Sequence, residues 1–190
     1  MQPDELLLIL HTAEKLKDTT RHCCTSGGRR ESVAEHSWRL ALMAFFLRDE
    51  FPRADMDKVL RMCLIHDLGE CFTGDIPSFS KTPADEAREE RLLHAWVDVL
   101  PAPYAAEMHT LYREMAALET EEAKIYKALD KLEAVIQHNE SDLSTWTENE
   151  YSLNLTYAQG NVAFSPYLTA LRQAIRRETE EKIDREKKIK

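Results

Sequence analysis

The chain has 190 residues, of which 43% are hydrophobic and 31% are charged. This composition is typical of a folded globular protein and argues against intrinsic disorder. The net charge of −9 disfavours a nucleic-acid partner, because an acidic surface repels the phosphate backbone. It leaves room for a small phosphate ligand held by a local cluster of arginines.

The length favours one domain over 1–190, with a core over about 3–140 and a C-terminal loop and helix over 141–190. The apolar run at 6–10 follows two acidic residues and is far too short to cross a bilayer. We therefore predict a cytoplasmic protein with no membrane partner. The four cysteines lack CxxC spacing, so we expect free thiols rather than a zinc site.

Apolar residues recur at helical spacing almost throughout, which predicts an all-α bundle of about six to seven helices. Ser32 and Glu35 form a capping-box pattern that starts one of them. A polar stretch at 19–31 predicts a loop, 141–164 looks irregular, and the charged end from Glu178 to Lys190 is expected to be a solvated helical extension. The predicted helices cover about 3–18, 33–50, 55–70, 83–99, 104–118 and 121–140, with a last helix from Pro166.

Residues of metal-ligand type lie in apolar surroundings at three places, as His36, the pair His66 and Asp67, and Asp130. Buried carboxylates are costly, and several that converge repel one another. A divalent cation removes both problems, and imidazole with carboxylate suits Mn, Fe, Co, Ni or Zn. Each residue alone could be an ordinary core or surface residue, but the combination favours a metal site.

Two further carboxyl groups are candidates for catalysis. Glu70 lies four residues after His66, so on a helix the two share a face. A carboxylate there can orient or deprotonate a water that the ion has made acidic. Asp75, in a Thr-Gly-Asp loop, could pass a proton to a leaving group. Glu70 could instead lie in water near a helix end.

The ordered segments resemble the motifs of HD-domain phosphohydrolases, most closely the bacterial 5′-deoxynucleotidases and related HD-domain-containing hydrolases. These segments are ESVAEHS (31–37), HDLGE (66–70), TGDIP (73–77) and LDKLE (129–133). The resemblance covers about 5–140. It implies an HD-domain helical bundle with one divalent metal ion (Co, Mn, Mg, Zn, Ni or Fe). The implied ligands are His36, His66, Asp67 and Asp130, with Glu70 positioning the attacking water and Asp75 assisting protonation.

The implied substrates are nucleoside 5′-monophosphates, with deoxynucleotides favoured, and the group usually forms homodimers. Arg21 lies fifteen residues before His36, where the family places a phosphate-binding arginine, and guanidinium offers two parallel donors to phosphate. Arg29 and Arg30 are alternatives for this role. The family often has tryptophan next, bearing on the sugar. Here it is His22, a candidate substrate contact that leaves selectivity for deoxyribose or ribose open.

Two other functions stay open. His94 and His109 lie between the His-Asp pair and Asp130, where some HD relatives hold a second metal, so a two-metal phosphodiesterase or an iron oxygenase is one alternative. A non-catalytic helical module that binds a nucleotide is the other. The aromatic residues of 141–164 are expected to pack, to edge the pocket or to contact a second subunit.

Overall fold

The computed structural model describes residues 1–77 and 80–187, and it confirms the predicted helical class. Eight helices in this part of the chain have nine residues or more, slightly above the predicted six to seven. They are α1 (Pro3–Glu14), α2 (Val33–Phe46), α3 (Met56–Ile65), α5 (Pro83–Val97), α6 (Tyr104–Ala117), α7 (Glu121–Glu140), α8 (Glu148–Thr156) and α10 (Pro166–Lys187). The short helices are α4 (Glu70–Thr73) and α9 (Gln159–Val162), with 3-10 turns at Lys15–Lys17, Arg48–Glu50 and Leu143–Thr145.

Helix α7 lies at the centre of the fold, in contact with α2, α3, α6, α9 and α10. Its buried apolar residues are not confined to one stripe. Ala123 and Tyr126 are buried on other sides of the helix from the stripe formed by Ile125, Leu129 and Leu132. A helix that is apolar on several faces is stable only when neighbours cover it. Because α7 is central, some of its acidic residues lie in the interior, where they require cationic or hydrogen-bonding partners.

The prediction of a loop over 19–31 is wrong. Strands β1 (Thr20–Cys24) and β2 (Arg30–Ser32) pair antiparallel there as a hairpin. Gly28, with a φ of +83°, closes the turn between them. The hydropathy pattern did not indicate the strands, because most of their side chains are polar and half-buried or exposed. They therefore show no alternation of apolar and polar residues.

The start of α2 follows the predicted capping box. The Ser32 hydroxyl accepts a hydrogen bond from the Glu35 amide at 3.3 Å, and the Glu35 carboxylate accepts one from the Ser32 amide at 2.9 Å. These two bonds satisfy backbone donors that the first helical turn leaves free. Because β2 ends at Ser32, the cap also fixes the angle between the hairpin and α2.

The predicted helix over 55–70 is too long at its C-terminal end. Helix α3 ends at Ile65, and a turn leads into the short α4. The Tyr112 hydroxyl donates to the Ile65 carbonyl at 2.7 Å and so satisfies a group that the helix end exposes. Gly74 then takes a φ of +77°, a conformation that side chains disfavour, and turns the chain toward Asp75.

The prediction that 141–164 is irregular is also wrong, because this stretch contains α8 and α9. Arg172 of α10 lies under the end of α8, where its guanidinium donates to the carbonyls of Tyr157 at 2.6 Å and Asn154 at 2.8 Å. A buried cation at a helix C-terminus satisfies its last carbonyls. The stability of α8 therefore depends on a residue outside its own segment.

The charged C-terminal stretch is helical as predicted, but part of it is packed. Thr179 is fully buried, and its hydroxyl lies 2.9 Å from the Asn139 side-chain oxygen on α7. The last three residues of the predicted extension, 188–190, lie outside the described residues.

Across the described residues, no helix combines the length and hydropathy that crossing a bilayer requires. The cysteines Cys23, Cys24, Cys63 and Cys71 are all free thiols, as predicted.

Replacing Ser32 by alanine removes the cap acceptor, and we expect it to lower the free energy of unfolding by about 1 kcal/mol. Urea denaturation followed by circular dichroism measures the change. Ser152→Ala, on the exposed surface of α8, is the matched control and should leave the midpoint nearly unchanged. Equal midpoints for Ser32→Ala and wild type would show that the cap does not stabilise the fold.

Candidate metal centre and pocket

The predicted ligand residues come together from three elements. His36 lies one turn into α2, His66 and Asp67 lie in the turn after α3, and Asp130 lies in the middle of α7. His36 is almost completely buried. Asp67 and Asp130 are open to a cavity, with side-chain exposures of 26% and 17%. The histidines therefore form the floor of the site and the carboxylates form its rim.

Each aspartate approaches both histidines. Asp67 Oδ2 is 2.9 Å from His66 Nε2 and 3.9 Å from His36 Nε2. Asp130 Oδ1 is 3.3 Å from His36 Nε2 and 3.8 Å from His66 Nε2. The two Nε2 atoms are 3.2 Å apart. Ligands bound to one ion at about 2.1 Å lie roughly 3 to 4 Å from each other, so the distances of each aspartate from the two histidines suit a shared divalent cation.

The other nitrogen of each imidazole is held by the protein. His66 Nδ1 lies 2.9 Å from the Cys63 carbonyl, to which it can only donate. His36 Nδ1 makes a short hydrogen bond to Glu133. Such bonds fix the orientation of a ligand imidazole and leave Nε2 free to bind. The hydrogen bonds at Nδ1 therefore explain why both Nε2 atoms point toward the aspartates.

The charges of the site also fit a cation. Burial and Arg21 disfavour a charged His36, but Asp130 and Glu133 outweigh them and raise the pKa of His36 to about 9. Burial opposes ionisation of Asp67, yet the adjacent His66 outweighs it and lowers the pKa of Asp67 to about 2. The cluster thus retains a proton on an imidazole to balance its carboxylates. A divalent cation replaces such protons.

A cavity of about 280 Å³ opens above this cluster. His66 is the one predicted site residue absent from its lining, since its side chain lies beneath Asp67. The other predicted residues on the cavity wall are Arg21, His22, His36, Asp67, Glu70, Asp75 and Asp130. Tyr157 also lines the cavity, so the 141–164 segment does edge the pocket, together with Glu150, Leu153 and Asn154.

Glu70 and Asp75 both face the cavity with incomplete solvation. Glu70 is 7% exposed, and its Oε2 has no hydrogen-bond partner within the described part of the chain. Burial and the charge of Asp67 raise the pKa of Glu70 to about 10. Burial likewise raises the pKa of Asp75. An unpartnered buried carboxyl oxygen is costly, which is understandable where a cation or water is to be bound.

Of the three candidate arginines, only Arg21 lines the cavity. It lies on β1, where its NH1 forms ion pairs with Glu133 at 3.5 Å and Glu31 at 3.7 Å but makes no hydrogen bond to the described residues. Arg29 pairs with Glu35, and Arg30 donates to the Arg21 carbonyl at 3.3 Å. The hairpin, which was not predicted from the sequence, directs Arg21 into the cavity and leaves Arg29 and Arg30 outside it.

His22 also reaches the cavity, but its Nε2 lies 2.9 Å from Glu150 Oε1. His138 of α7 approaches the same oxygen at 3.6 Å. Burial lowers the pKa of His138 to about 4, so this imidazole is neutral near pH 7. The expectation that His22 contacts substrate remains a prediction, and its Nε2 has a protein partner.

His94 and His109, the candidates for a second metal, lie apart from the pocket. Their rings stack at 5.1 Å between α5 and α6, and neither lines the cavity. This geometry gives no support to a two-metal or oxygenase reading built on these residues.

Two residues of the site escaped the sequence analysis. Glu133 is fully buried and bonds both His36 and the Arg39 side chain, the latter at 2.6 Å. Lys127 binds Asp130 Oδ2 at 2.7 Å, which leaves Oδ1 facing the histidines. Both lie three residues from Asp130, on the same helical side. A lysine three residues before Asp130 and a glutamate three residues after it were the sequence pattern that could have indicated these two residues.

A helical bundle with two histidines and two aspartates at the base of a cavity defines a class of proteins with a helical histidine–aspartate centre. The family profile described as HD domain matches residues 13–172. The chain therefore belongs to the HD-domain family, as the motif resemblance predicted.

The chain is similar to several proteins named as 5′-deoxynucleotidases. The 5′-deoxynucleotidase HDDC2 of Mus musculus is 37% identical over 112 residues, which cover 58% of this chain and 55% of that protein. The 5′-deoxynucleotidase hdd1 of Schizosaccharomyces pombe is 27% identical and covers 73% of this chain and 77% of that protein. The chain thus spans little more than half the length of HDDC2.

Solved structures resemble the chain over more of its length. A protein of Magnetospirillum magnetotacticum, described as a predicted metal-dependent phosphohydrolase, superposes with a TM-score of 0.78 at 29% identity and covers 94% of this chain and 93% of its own. A conserved hypothetical protein of Pyrococcus furiosus gives a TM-score of 0.70 at 30% identity, covering 93% and 99%.

Glu133→Gln tests how the floor of the site is held. We expect metal affinity to fall by roughly 10- to 100-fold, because an amide orients and polarises the His36 imidazole less strongly than a carboxylate does. Calorimetric titration with Mn²⁺ measures the change. Glu140→Gln is the matched control, since Glu140 bonds the same Arg39 but is half-exposed. Equal affinities for Glu133→Gln and wild type would contradict this role.

Proposed function

We propose that the protein is a metal-dependent phosphohydrolase that removes phosphate from nucleoside 5′-monophosphates, with deoxynucleotides as the favoured substrates. The observation that carries the proposal is that both aspartates, Asp67 and Asp130, lie within 3.9 Å of both histidine Nε2 atoms. Two imidazole nitrogens and two carboxylates at these distances are a ligand set suited to a divalent cation. The names of the relatives support the substrate class.

His36, His66, Asp67 and Asp130 are the proposed ligands of one divalent ion. When bound, such an ion offsets charge on phosphate oxygens and makes a water more acidic. Lys127 keeps one oxygen of Asp130 occupied, so that its other oxygen stays directed to the site. Which of Co, Mn, Mg, Zn, Ni and Fe serves in the cell depends on supply as well as affinity, since this ligand set accepts several.

The phosphate group is proposed to lie between the metal ligands and Arg21. The cavity joins these groups directly, and NH1 of Arg21 has no hydrogen-bond partner among the described residues. A guanidinium with a free donor can bind phosphoryl oxygens and stabilise the charge that develops on them. The nucleoside then extends toward α8, where Leu153, Asn154 and Tyr157 line the cavity.

Hydrolysis proceeds by in-line displacement at phosphorus. A water oxygen forms the new P–O bond while the bond to the 5′-oxygen breaks. Glu70 orients the water and accepts its proton. Because burial and Asp67 raise the pKa of Glu70, this role requires positive charge nearby that offsets Asp67 and lowers that pKa. Asp75 supplies a proton to the departing 5′-oxygen, and burial favours the protonated form that can do so.

Glu70→Gln should lower kcat by roughly 10²- to 10⁴-fold, because the amide cannot accept the proton of the attacking water. Binding of Mn²⁺ and of nucleotide should persist. The assay is phosphate release from a panel of ribo- and deoxynucleoside 5′-monophosphates with Mn²⁺, Co²⁺, Mg²⁺, Zn²⁺ or Ni²⁺.

Glu90→Gln is the matched control for this substitution, since Glu90 on α5 is 72% exposed at its side chain. It should keep wild-type activity. If the wild-type protein binds nucleotides but releases phosphate from none of them, the non-catalytic binding module is the better account. Unchanged turnover by Glu70→Gln would remove Glu70 from the mechanism.

We also propose that the protein forms a homodimer, as the resemblance implies. In support, four large apolar side chains lie exposed along one side of α2, at the spacing of a helical face. Their exposures are 63% for Trp38, 37% for Leu42, 47% for Phe45 and 72% for Phe46. A second copy of the chain would cover this apolar surface of α2.

Phe46→Glu should convert the dimer to a monomer, because it places a charge in the proposed contact without disturbing the core. Light scattering after gel filtration measures the mass. Val99→Glu, at an apolar residue that is 78% exposed outside this surface, should remain dimeric. A wild-type protein that is monomeric at every concentration would refute the homodimer.

A further inference from the structure

We propose a second cation site, formed by His22, His138 and Glu150 at the end of the cavity away from the HD residues. His22 comes from β1, His138 from the C-terminal end of α7 and Glu150 from α8. Two imidazoles and a carboxylate are a ligand set for a divalent transition metal such as Co²⁺ or Zn²⁺.

The three ligand atoms converge on a small volume. His22 Nε2 and His138 Nε2 lie 2.9 Å and 3.6 Å from the same Glu150 oxygen. All three atoms lie within 4.8 Å of one another. The other Glu150 oxygen accepts a hydrogen bond from the Thr147 amide at 2.6 Å. That bond fixes the carboxylate with Oε1 toward the imidazoles, the arrangement that supports a metal ligand.

Glu150 differs from Glu133 and Glu31, two other buried carboxylates near the pocket, because among the described residues it lacks a cationic side chain close by. Glu133 has Arg21 and Arg39 close by, and Glu31 has Arg21. Within the described ranges, no lysine or arginine lies within 4.0 Å of Glu150, which is 1% exposed. Apart from the Thr147 amide, the described polar partners of this buried carboxylate are two imidazoles. A cation shared among the three side chains would supply the positive charge that the site lacks.

The position on the pocket wall leaves room to complete the coordination. The cavity lining includes all three residues, so water or a ligand atom can occupy the remaining positions that three protein ligands leave open.

The new site is separate from the HD site. His138 follows Asp130 by eight residues on α7, which corresponds to about 12 Å along a helix axis. Two ions that act on one phosphate lie about 3.5 to 4 Å apart. The second ion is therefore not a partner of the first in catalysis. It joins β1, α7 and α8, and it fixes the residue next to Arg21 at the nucleoside end of the pocket.

Counting bound metal tests the proposal. The purified protein is dialysed against excess Co²⁺ and then buffer, and the cobalt per chain is measured by mass spectrometry. We expect two ions in the wild type, one in His22→Gln and one in Glu150→Gln. His11→Gln, on the half-buried to exposed helix α1, is the matched control and should keep two. Circular dichroism of each variant confirms its fold, and the two substitutions lie on different elements.

Asp67→Ala separates this site from the proposed catalytic one. One ion should remain in Asp67→Ala and none in Asp67→Ala combined with His22→Gln. A wild type with one ion that Asp67→Ala removes would overturn the second site and leave the phosphohydrolase proposal intact. Two ions in both His22→Gln and Glu150→Gln would overturn it as well. One ion that survives Asp67→Ala but is lost in His22→Gln would support the second site and contradict the catalytic metal centre.

Discussion

Several carboxyl groups meet in the low-dielectric interior beneath the pocket, and they cannot all ionise unless positive charge is placed among them. Arg21, Arg39 and Lys127 supply part of that charge from β1, α2 and α7. The remaining positive charge is supplied in the cluster of His36, Asp67 and Asp130, where the His36 imidazole retains a proton. The balance between acids and cations thus determines both how the elements pack and where a metal ion can bind.

Glu133 links this charge balance to the architecture. It bonds His36 on the floor of the site and Arg39 one turn further along α2, and Arg21 of the hairpin lies within 3.5 Å. A single fully buried carboxylate of α7 therefore sets the orientation of a proposed metal ligand and the positions of two arginines. Removal of one partner of such a buried network leaves the other charges unpaired, so its members depend on one another.

Prediction from sequence succeeded where the determinants are local. The α7 boundaries and the Ser32 cap follow from residues within one or two helical turns. It failed for the hairpin and for α8. The end of α8 is stabilised by a residue distant in sequence, Arg172 of α10. The metal-type residues were recognised because they form ordered motifs. Glu150 and His138 belong to no such motif, and only the fold brings them next to His22.

Because Arg172 of α10 contacts the end of α8, the geometry of the pocket also depends on the last helix of the chain. The carbonyls that Arg172 binds belong to Asn154 and Tyr157, two residues whose side chains line the cavity. A change in α10 that moves this guanidinium will shift that wall of the cavity without contacting the cavity itself. The shape of the pocket at α8 can therefore be altered from a helix whose described residues do not line it, while the histidines and aspartates on α2, α7 and the turn after α3 keep their positions.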